Sequence, residues 1–378
     1  LPRLDGWILG PIGHRAYPRV PEAINPHPIL RKRFDLFANV RPTRSYPGLG
    51  CLHDDVDLVI VRENNEGFQP DRNVVAGTGE FRPSEDMTIS VRVITRNGSA
   101  KVARAAFELA RERRKKLTAV HKNTVFKLGC GMFAEECRKL AEEFPDVAYD
   151  EMMVDTFAMR LAMTPQRFDV VVTTNMFGDI LSDEAAGLVG GLGLAPGLCA
   201  GTQWAMAQAT HGSAPDIAGR GIANPYAMIV SGQMLLAWLG RKKTEKRATA
   251  AAEKIGLAVD AILQEPKRLT PDLGGSGSTG SMAERIVATI SRELDRRDLS
   301  ESGLLHRRQQ QVRIARLVVE LQARIDLQGV ERGRIHGEDA AGSLAQGGFR
   351  KLDRSGFGES VGGRGDVLRL LRTRHDTY

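Results

Sequence analysis

The sequence has little of what marks secreted, membrane-spanning or zinc-binding proteins. It has 4 cysteines in 378 residues. Their spacing gives neither a Cys-x-x-Cys pair nor a cysteine–histidine cluster, which argues against disulfides and structural zinc. No apolar run is long enough to span a bilayer, and no signal-peptide pattern opens the chain. These absences predict a cytoplasmic protein that makes no membrane contact.

The net charge of +7 would suit a nucleic-acid partner. The positive charge does not form one stripe, however, and no aromatic residues interleave with the arginines as they do in single-strand binders. It is most conspicuous in residues 296–378, a basic tail rich in glycine and arginine that we expect to be disordered in part. Nucleic acid is therefore not an expected partner.

Apolar runs alternate with amphipathic stretches up to about residue 294. The runs predict buried strands at residues 4–9, 56–61, 117–121, 150–154 and 170–172, with a half-exposed strand at 88–95. The amphipathic and apolar stretches predict helices at residues 30–37, 100–114, 130–143, 157–163, 225–239, 244–263 and 283–294. This alternation predicts an α/β protein with a largely parallel sheet.

Residues 175–183 carry the most informative pattern. They follow the strand at 170–172 and open a helix, so Asp179 and Asp183 are four residues apart and share one helix face. An exposed acidic face would be the ordinary explanation, but the flanking residues are apolar and glycine-rich. Two parallel carboxylates repel each other unless a cation lies between them, and their hard oxygens favour Mg²⁺ or Mn²⁺. We therefore predict a divalent-metal site.

Three arginines stand at places that favour ligand binding. Arg31 lies on the short basic helix, Arg41 follows it, and Arg62 ends the strand at 56–61. A single arginine is more often part of a surface ion pair, but the ends of strands in an open α/β sheet line the ligand crevice. The guanidinium fork matches a carboxylate. The three arginines therefore predict a substrate with several carboxylates.

Two further candidates follow predicted strands. Asp155 is placed to give the metal a third carboxylate, and Lys122 is placed for proton transfer, since a lysine near a metal has a lowered pKa. Either residue alone would be weak support for a site.

Residues 211–219 predict a loop that approaches a ligand. Gly212, Ser213 and Ala214 are small enough to let the backbone come close. Asp216 is suited to accept hydrogen bonds from a ribose diol, and its charge would repel a 2′-phosphate, which favours NAD over NADP. The segment lacks the Rossmann glycine spacing, and a glycine- and proline-containing loop with a helix cap is the alternative explanation.

Together these segments resemble the β-decarboxylating dehydrogenases, the family of isopropylmalate, isocitrate, homoisocitrate and tartrate/D-malate dehydrogenases. The resemblance covers residues 4–294. It rests on the segments at residues 30–42, 61–64, 175–183 and 211–225.

The resemblance implies a role for each candidate residue. The substrate carboxylates would be held by Arg31, Arg41 and Arg62. Mg²⁺ or Mn²⁺ would be held by Asp155, Asp179 and Asp183. NAD would be bound by His211, Gly212, Ser213, Ala214, Asp216 and Asn224.

The resemblance also implies a two-domain α/β fold that is not a Rossmann fold. Residues 1–40 with 185–295 would form the cofactor-binding domain, and residues 41–184 the substrate, metal and dimerisation domain. The family builds its site across a homodimer, with Lys122 and Asp155 reaching in from the partner subunit. The implied reaction is NAD- and metal-dependent oxidative decarboxylation of 3-isopropylmalate, isocitrate, tartrate or D-malate, with Lys122 and Asp155 as catalytic residues.

The sequence departs from the family pattern at several positions. The chain begins at the family's second recognisable strand, without its opening strand, and its tail has no family counterpart. Gln69 aligns with a proton-donating tyrosine, and an amide cannot donate a proton as a phenol does. Gln208 aligns with a glutamate. A catalytically impaired paralogue, acting as a regulatory or interaction subunit, is therefore the alternative function.

Substrate choice in the family depends on the residues before Arg31, which here are residues 25–29. Asn25 and His27 predict a polar third substituent on the substrate, as in tartrate, malate or isocitrate. His27 would equally suit a plain loop.

Overall fold

A computed structural model describes residues 4–12, 25–69, 73, 77–297 and 349–352 of the chain. The strands are β1 Gly6–Leu9, β2 Ala38–Arg44, β3 Asp57–Glu63, β4 Glu80–Ser84, β5 Met87–Ser90, β6 Lys116–His121, β7 Ala148–Met153, β8 Val170–Thr173, β9 Leu198–Ala200, β10 Ala205–Ala207 and β11 Phe349–Leu352. The helices are α1 Pro26–Arg33, α2 Arg96–Arg111, α3 Gly129–Glu143, α4 Val154–Met163, α5 Asn175–Leu188, α6 Tyr226–Lys242, α7 Lys246–Leu263 and α8 Thr279–Arg297.

Nine of these strands form one mixed sheet in the order β11-β1-β10-β9-β2-β3-β8-β6-β7. The strands β3, β8, β6 and β7 run parallel to one another, as does β1 with β10, whereas β2 is antiparallel to both β3 and β9. The predicted α/β fold with a mixed sheet is confirmed.

The two faces of the central strand β3 pack against two different layers of helices. Because side chains alternate across a sheet, Val59 and Val61 pack with the layer of α2 and α3, whereas Leu58 and Ile60 pack with the layer of α4 and α5. A separate apolar cluster joins α6, α7 and α8 to β10. The next residue on the α5 side of β3 is Arg62, so the alternation itself directs this arginine toward α5.

The structure corrects several predicted elements. Helix α1 spans Pro26–Arg33 rather than residues 30–37, because Asn25 caps it by accepting a hydrogen bond from the His27 backbone N–H and because proline is tolerated in a first helical turn. The strand predicted at 88–95 ends at Ser90 and pairs with β4 in a separate, exposed two-stranded sheet. The strands β2, β9 and β10 were not predicted.

Within the described residues, no helix combines the length and apolarity that a membrane crossing needs. Part of the predicted tail, β11, pairs antiparallel with β1. The rest of the tail, from residue 298 onward, lies outside the described residues.

Candidate active site

Three adjacent elements bring the predicted arginines and aspartates together. In the antiparallel pairing of β2 and β3, Arg41 lies opposite Ile60, so its side chain is directed to the same face as that of Arg62. Strand β8 runs parallel to β3 and leads directly into α5. Helix α5 therefore begins beside the end of β3 and places Asp179 over both arginines.

Two buried guanidinium groups face two half-exposed carboxylates. Nη1 of Arg41 donates to Oδ1 of Asp179 at 3.0 Å and lies 3.7 Å from Oδ1 of Asp183, while Arg62 forms an ion pair with Asp179. The arginine side chains are 7% and 5% exposed, and the aspartates 51% and 49%. Arg41 thus supplies the positive charge that the parallel carboxylates need.

Burial dominates the electrostatics of these groups. It lowers the pKa of Arg41, and the nearby charge of Arg31 acts in the same direction, while Asp179 opposes it. Burial also raises the pKa of Asp183. An arginine keeps its charge under such conditions, so Arg41 stays a cation beside the carboxylates.

Gly178 permits the close contact between α5 and β3. A Cβ atom at this position would lie 2.6 Å from Cβ and 3.1 Å from Cα of Arg62, closer than carbon atoms pack. The absence of a side chain at residue 178 therefore sets the distance at which the aspartates meet Arg62.

Asn175, the first residue of α5, makes four side-chain hydrogen bonds that the sequence did not predict. Its Oδ1 accepts hydrogen bonds from Nε and Nη2 of Arg62 at 3.1 and 2.6 Å and from Nε2 of Gln69 at 3.2 Å. Its Nδ2 donates to Oε2 of Glu63 at 3.4 Å. Burial raises the pKa of Glu63. Asn175 orients Arg62 and links it to Gln69.

The three arginines predicted to bind substrate all line one cavity of about 440 Å³. It is lined by Ile12, Asn25, His27, Pro28, Arg31, Asn39, Arg41, Arg62, Gln69, Asp179, Gln208, Ala209, Thr210, His211 and Gly212. All three predicted arginines therefore border one space together with the start of the predicted cofactor loop.

His211 and Gly212 line the cavity, whereas Ser213, Ala214, Asp216 and Asn224 are not among its lining residues. Gly212, Ser213, Ala214 and Asp216 are exposed, and nothing lies within 4 Å of where a Gly212 side chain would be. Asn224 closes the loop, since its Nδ2 donates to Asp272 at 3.0 Å and its Oδ1 accepts from the Tyr226 backbone N–H at the start of α6.

A second glycine segment, residues 275–280, matches the spacing Gly-x-Gly-x-x-Gly. The short turn Pro271–Leu273 precedes it rather than a strand. Side chains at Gly275 and Gly277 would strike the backbone oxygens of Leu269 and Arg268 at 2.2 and 2.3 Å. These glycines allow two backbone segments to pack closely, and they are not a Rossmann fingerprint.

Lys122 and Asp155 pair with each other and do not border the cavity. Nζ of Lys122 donates to Oδ2 of Asp155 at 2.7 Å, and this hydrogen bond lowers the pKa of Asp155. In the part of the chain that the structure describes, no three histidine, cysteine, aspartate or glutamate side chains are grouped to hold a metal. One chain therefore does not bring Asp155 to Asp179.

Arg92 is a further organising residue, and no sequence motif pointed to it. Its guanidinium lies 5.6, 4.7 and 5.7 Å from the ring centres of Phe68, Phe126 and Phe177. These rings belong to the segments that carry Gln69, Lys122 and Asp179. Stacked cation–π contacts of this kind hold separate segments together.

The contact at Gly178 generates a prediction about stability. Gly178→Ala should lower the free energy of unfolding by about 1–3 kcal/mol, because the new methyl group forces α5 away from Arg62. Gly187→Ala in the same helix meets open space and should instead raise it by roughly 0.5–1 kcal/mol. Urea denaturation measures both, and equal effects of the two changes would contradict the packing argument.

Comparison with known proteins identifies the family. A sequence model described as isocitrate/isopropylmalate dehydrogenase matches residues 3–286. The chain is 46% identical over 266 residues to the 3-isopropylmalate dehydrogenase of Archaeoglobus fulgidus, covering 69% of this chain and 76% of the relative. It is also 46% identical over 262 residues to the isocitrate/homoisocitrate dehydrogenase of Thermus thermophilus, covering 69% of this chain and 73% of the relative.

A solved structure agrees with the sequence comparisons. The isocitrate dehydrogenase of Methylococcus capsulatus superposes with a TM-score of 0.63 at 42% identity, covering 74% of this chain and 80% of that chain. The sequence match extends over three quarters of the chain and the fold agrees. The chain therefore belongs to the isocitrate/isopropylmalate dehydrogenase family, which confirms the prediction that it is a dehydrogenase of this class.

Proposed function

We propose that the chain catalyses the NAD- and divalent-metal-dependent oxidative decarboxylation of a malate-type 2-hydroxy acid. The observation that carries the proposal is the convergence of buried Arg41 and Arg62 on Asp179 at the wall of one cavity. Buried cations are costly unless they are paired, so a site that buries two of them is suited to an anionic ligand.

The arginines are suited to exchange partners when the substrate arrives. A substrate carboxylate offers each guanidinium a two-point match, so Arg41 and Arg62 can turn from Asp179 to the substrate without losing a negative partner. The aspartates then lose their counter-charge. A divalent cation restores it, and this couples substrate binding to metal binding.

The residues present fit such a cation. Asp179 and Asp183 offer hard carboxylate oxygens on one face of α5, and about half of each side chain is accessible. We propose that they hold Mg²⁺ or Mn²⁺ together with Asp155 of the partner subunit.

The cofactor loop fits NAD. Its small residues leave the backbone open, and exposed Asp216 is suited to a ribose diol. We propose that His211, Gly212, Ser213, Ala214, Asp216 and Asn224 bind NAD. In the proposed division of the chain, residues 1–40 and 185–295 form the cofactor domain, and residues 41–184 form the substrate and dimerisation domain.

A homodimer would complete the site. Helices α4 and α5 pack against each other and expose four large apolar side chains: Met159, Met163, Met176 and Ile180. Exposed apolar groups concentrated on adjacent helices favour burial against another copy. The partner subunit's Lys122 and Asp155 would enter the cavity across this interface. We also propose that the protein is located in the cytoplasm.

The chemistry divides between the bound groups and the chain. If bound, NAD would supply a hydride acceptor, and a divalent cation held by Asp179 and Asp183 would supply Lewis-acid polarisation of the substrate oxygens. Arg41 and Arg62 fix the substrate carboxylates, so that the scissile carboxylate is oriented for loss as CO₂. Nζ of the partner subunit's Lys122 would take up the hydroxyl proton and return it to the enolate carbon after CO₂ has left, so that the protons balance.

One observation favours the alternative of a catalytically impaired paralogue. Gln69 borders the cavity and donates to Asn175, and its amide has no proton to give to the enolate that decarboxylation leaves. A chain of this kind would bind the acid without turning it over.

The direct test is NADH production from D-malate, tartrate, isocitrate and 3-isopropylmalate, with Mn²⁺ or with EDTA. We expect metal-dependent turnover of at least one acid. Asp179→Asn should reduce kcat/KM by a factor of about 10² or more, since it removes charge from a buried cluster. Asp146→Asn, which changes an exposed ion pair with Arg111, is the matched control. A folded dimer that turns over none of the four acids would favour the impaired paralogue.

The shared site predicts complementation between two inactive variants. In a hybrid dimer of Asp179→Asn and Lys122→Met subunits, one site carries both defects and the other carries neither. An equal mixture after subunit exchange should recover roughly a quarter of the wild-type activity, because half of the dimers are hybrids with one intact site. Mixing Asp179→Asn with Arg41→Met should recover none, since both residues serve the same site. No recovery in the first mixture would place Lys122 outside a shared site.

A further inference from the structure

The backbone of Arg92 is fixed to the segment that carries Gln69. The neighbouring residue Val93 exchanges two backbone hydrogen bonds with Gly67, at 2.8 and 3.1 Å. The Arg92 guanidinium lies 5.6 Å from the ring centre of Phe68, the residue directly before Gln69. The side chain of Arg92 therefore starts from the Gln69 segment and extends from there toward two other segments.

The same guanidinium contacts the start of α5. It lies 5.7 Å from the ring centre of Phe177, and its Nη2 donates to Oγ1 of Thr174 at 3.3 Å. Thr174 is the N-cap residue of α5, and Phe177 comes two residues before Asp179. Arg92 thus holds the first turn of the helix that presents Asp179 to the cavity.

The third contact is with the turn that follows β6 and begins at Lys122. The guanidinium lies 4.7 Å from the ring centre of Phe126, and its Nη2 donates to Sγ of Cys130 at 3.5 Å. The backbone N–H of Phe126 in turn donates to the Lys122 carbonyl at 2.9 Å. A displacement of the Phe126 ring would therefore reach Lys122 through a single turn of backbone.

These three contacts serve two different active sites. Gln69 and Asp179 line the cavity of their own chain, whereas in the proposed function Lys122 enters the cavity of the partner subunit. One side chain therefore contacts segments that belong to both sites of the dimer. A planar guanidinium can stack on several aromatic rings at once, which suits it to this position.

We propose that Arg92 is a positioning residue that couples the two active sites of the homodimer. It holds Gln69 and Asp179 in the site of its own subunit, and it holds the Lys122 that serves the other site. This role rests on the proposed function, because only a shared site divides these residues between two cavities. A movement of α5 at one site then displaces the lysine of the other site.

The test uses hybrid dimers with one intact site, purified through a different affinity tag on each subunit. The first subunit carries Asp179→Asn and the second carries Lys122→Met, so the intact site combines Lys122 of the first with Asp179 of the second. Arg92→Met is then added to one subunit at a time. In the first subunit it reaches the intact site only through Lys122, and in the second only through Gln69 and Asp179.

Both placements should lower the kcat for NADH production at least about tenfold, because small misplacements of reacting groups are costly. With the change in the first subunit, KM for the acid should stay the same, since Arg41 and Arg62 of the intact site belong to the second. The solvent deuterium isotope effect on kcat should rise, because proton transfer to Lys122 becomes slower. A loss of folded dimer would lower the rate without changing this isotope effect. A rate lowered only by the second placement, or by neither, would overturn the proposal.

Arg96→Met is the matched control. Arg96 lies on the same segment as Arg92, but its exposed guanidinium pairs with Glu135 and Glu136. This change should leave both hybrids unchanged, since exposed ion pairs contribute little. Arg92→Lys keeps the charge but loses the planar stacking surface, so most of the defect should remain. Full activity in Arg92→Lys would contradict the stacking argument.

Failure of the proposed function is distinguishable, because the hybrid with Arg92 intact would then show no turnover. Hydrogen exchange tests the positioning without turnover, at a temperature where wild type and Arg92→Met are both folded. In Arg92→Met, amide exchange should become faster at residues 65–69, 122–130 and 174–180 and stay unchanged in α7. Unchanged exchange at residues 122–130 would overturn the proposal.

Discussion

The meeting of two buried guanidinium groups with Asp179 is the interaction on which the rest of the site depends. Arg41 and Arg62 come from adjacent antiparallel strands, and their charges would be untenable in the protein interior without a carboxylate. Asp179 reaches them because α5 starts directly after β8 and because Gly178 lets the helix approach Arg62. The alternation of side chains in the sheet and the close contact between α5 and β3 therefore bring two buried arginines and Asp179 together.

Sequence patterns predicted the larger elements well. The buried strands β3, β6 and β8 and the helix α3 were predicted within about two residues, because the strands are continuous apolar runs and the helix has an apolar stripe. For α5 the sequence predicted the start at residue 175 but not the end at Leu188. The strands β9 and β10 were missed because each has three residues, too few for a period. Strand β2 was missed because Pro42 and two arginines interrupt its pattern, although it lies inside the sheet.

The site was predictable to a similar extent. The aspartates, the arginines and the cofactor loop stand in recognisable motifs. The roles of Asn175 and Arg92 and the pairing of Gln208 with His27 depend on contacts between residues far apart in the chain, and no local pattern predicts such contacts.

The cavity has two chemically distinct ends. Carboxylates contact Arg41 and Arg62 at one end, and the neutral amide of Gln208 contacts Arg31 at the other.

We propose that the arginines leave the aspartates when a substrate binds, so that substrate and metal bind cooperatively. Calorimetric titration of Mn²⁺ into the wild-type protein, without NAD, in the absence and presence of saturating isocitrate, tests it directly. If the arginines leave the aspartates, isocitrate should tighten Mn²⁺ binding by about tenfold or more. The same Mn²⁺ affinity with and without isocitrate would contradict it.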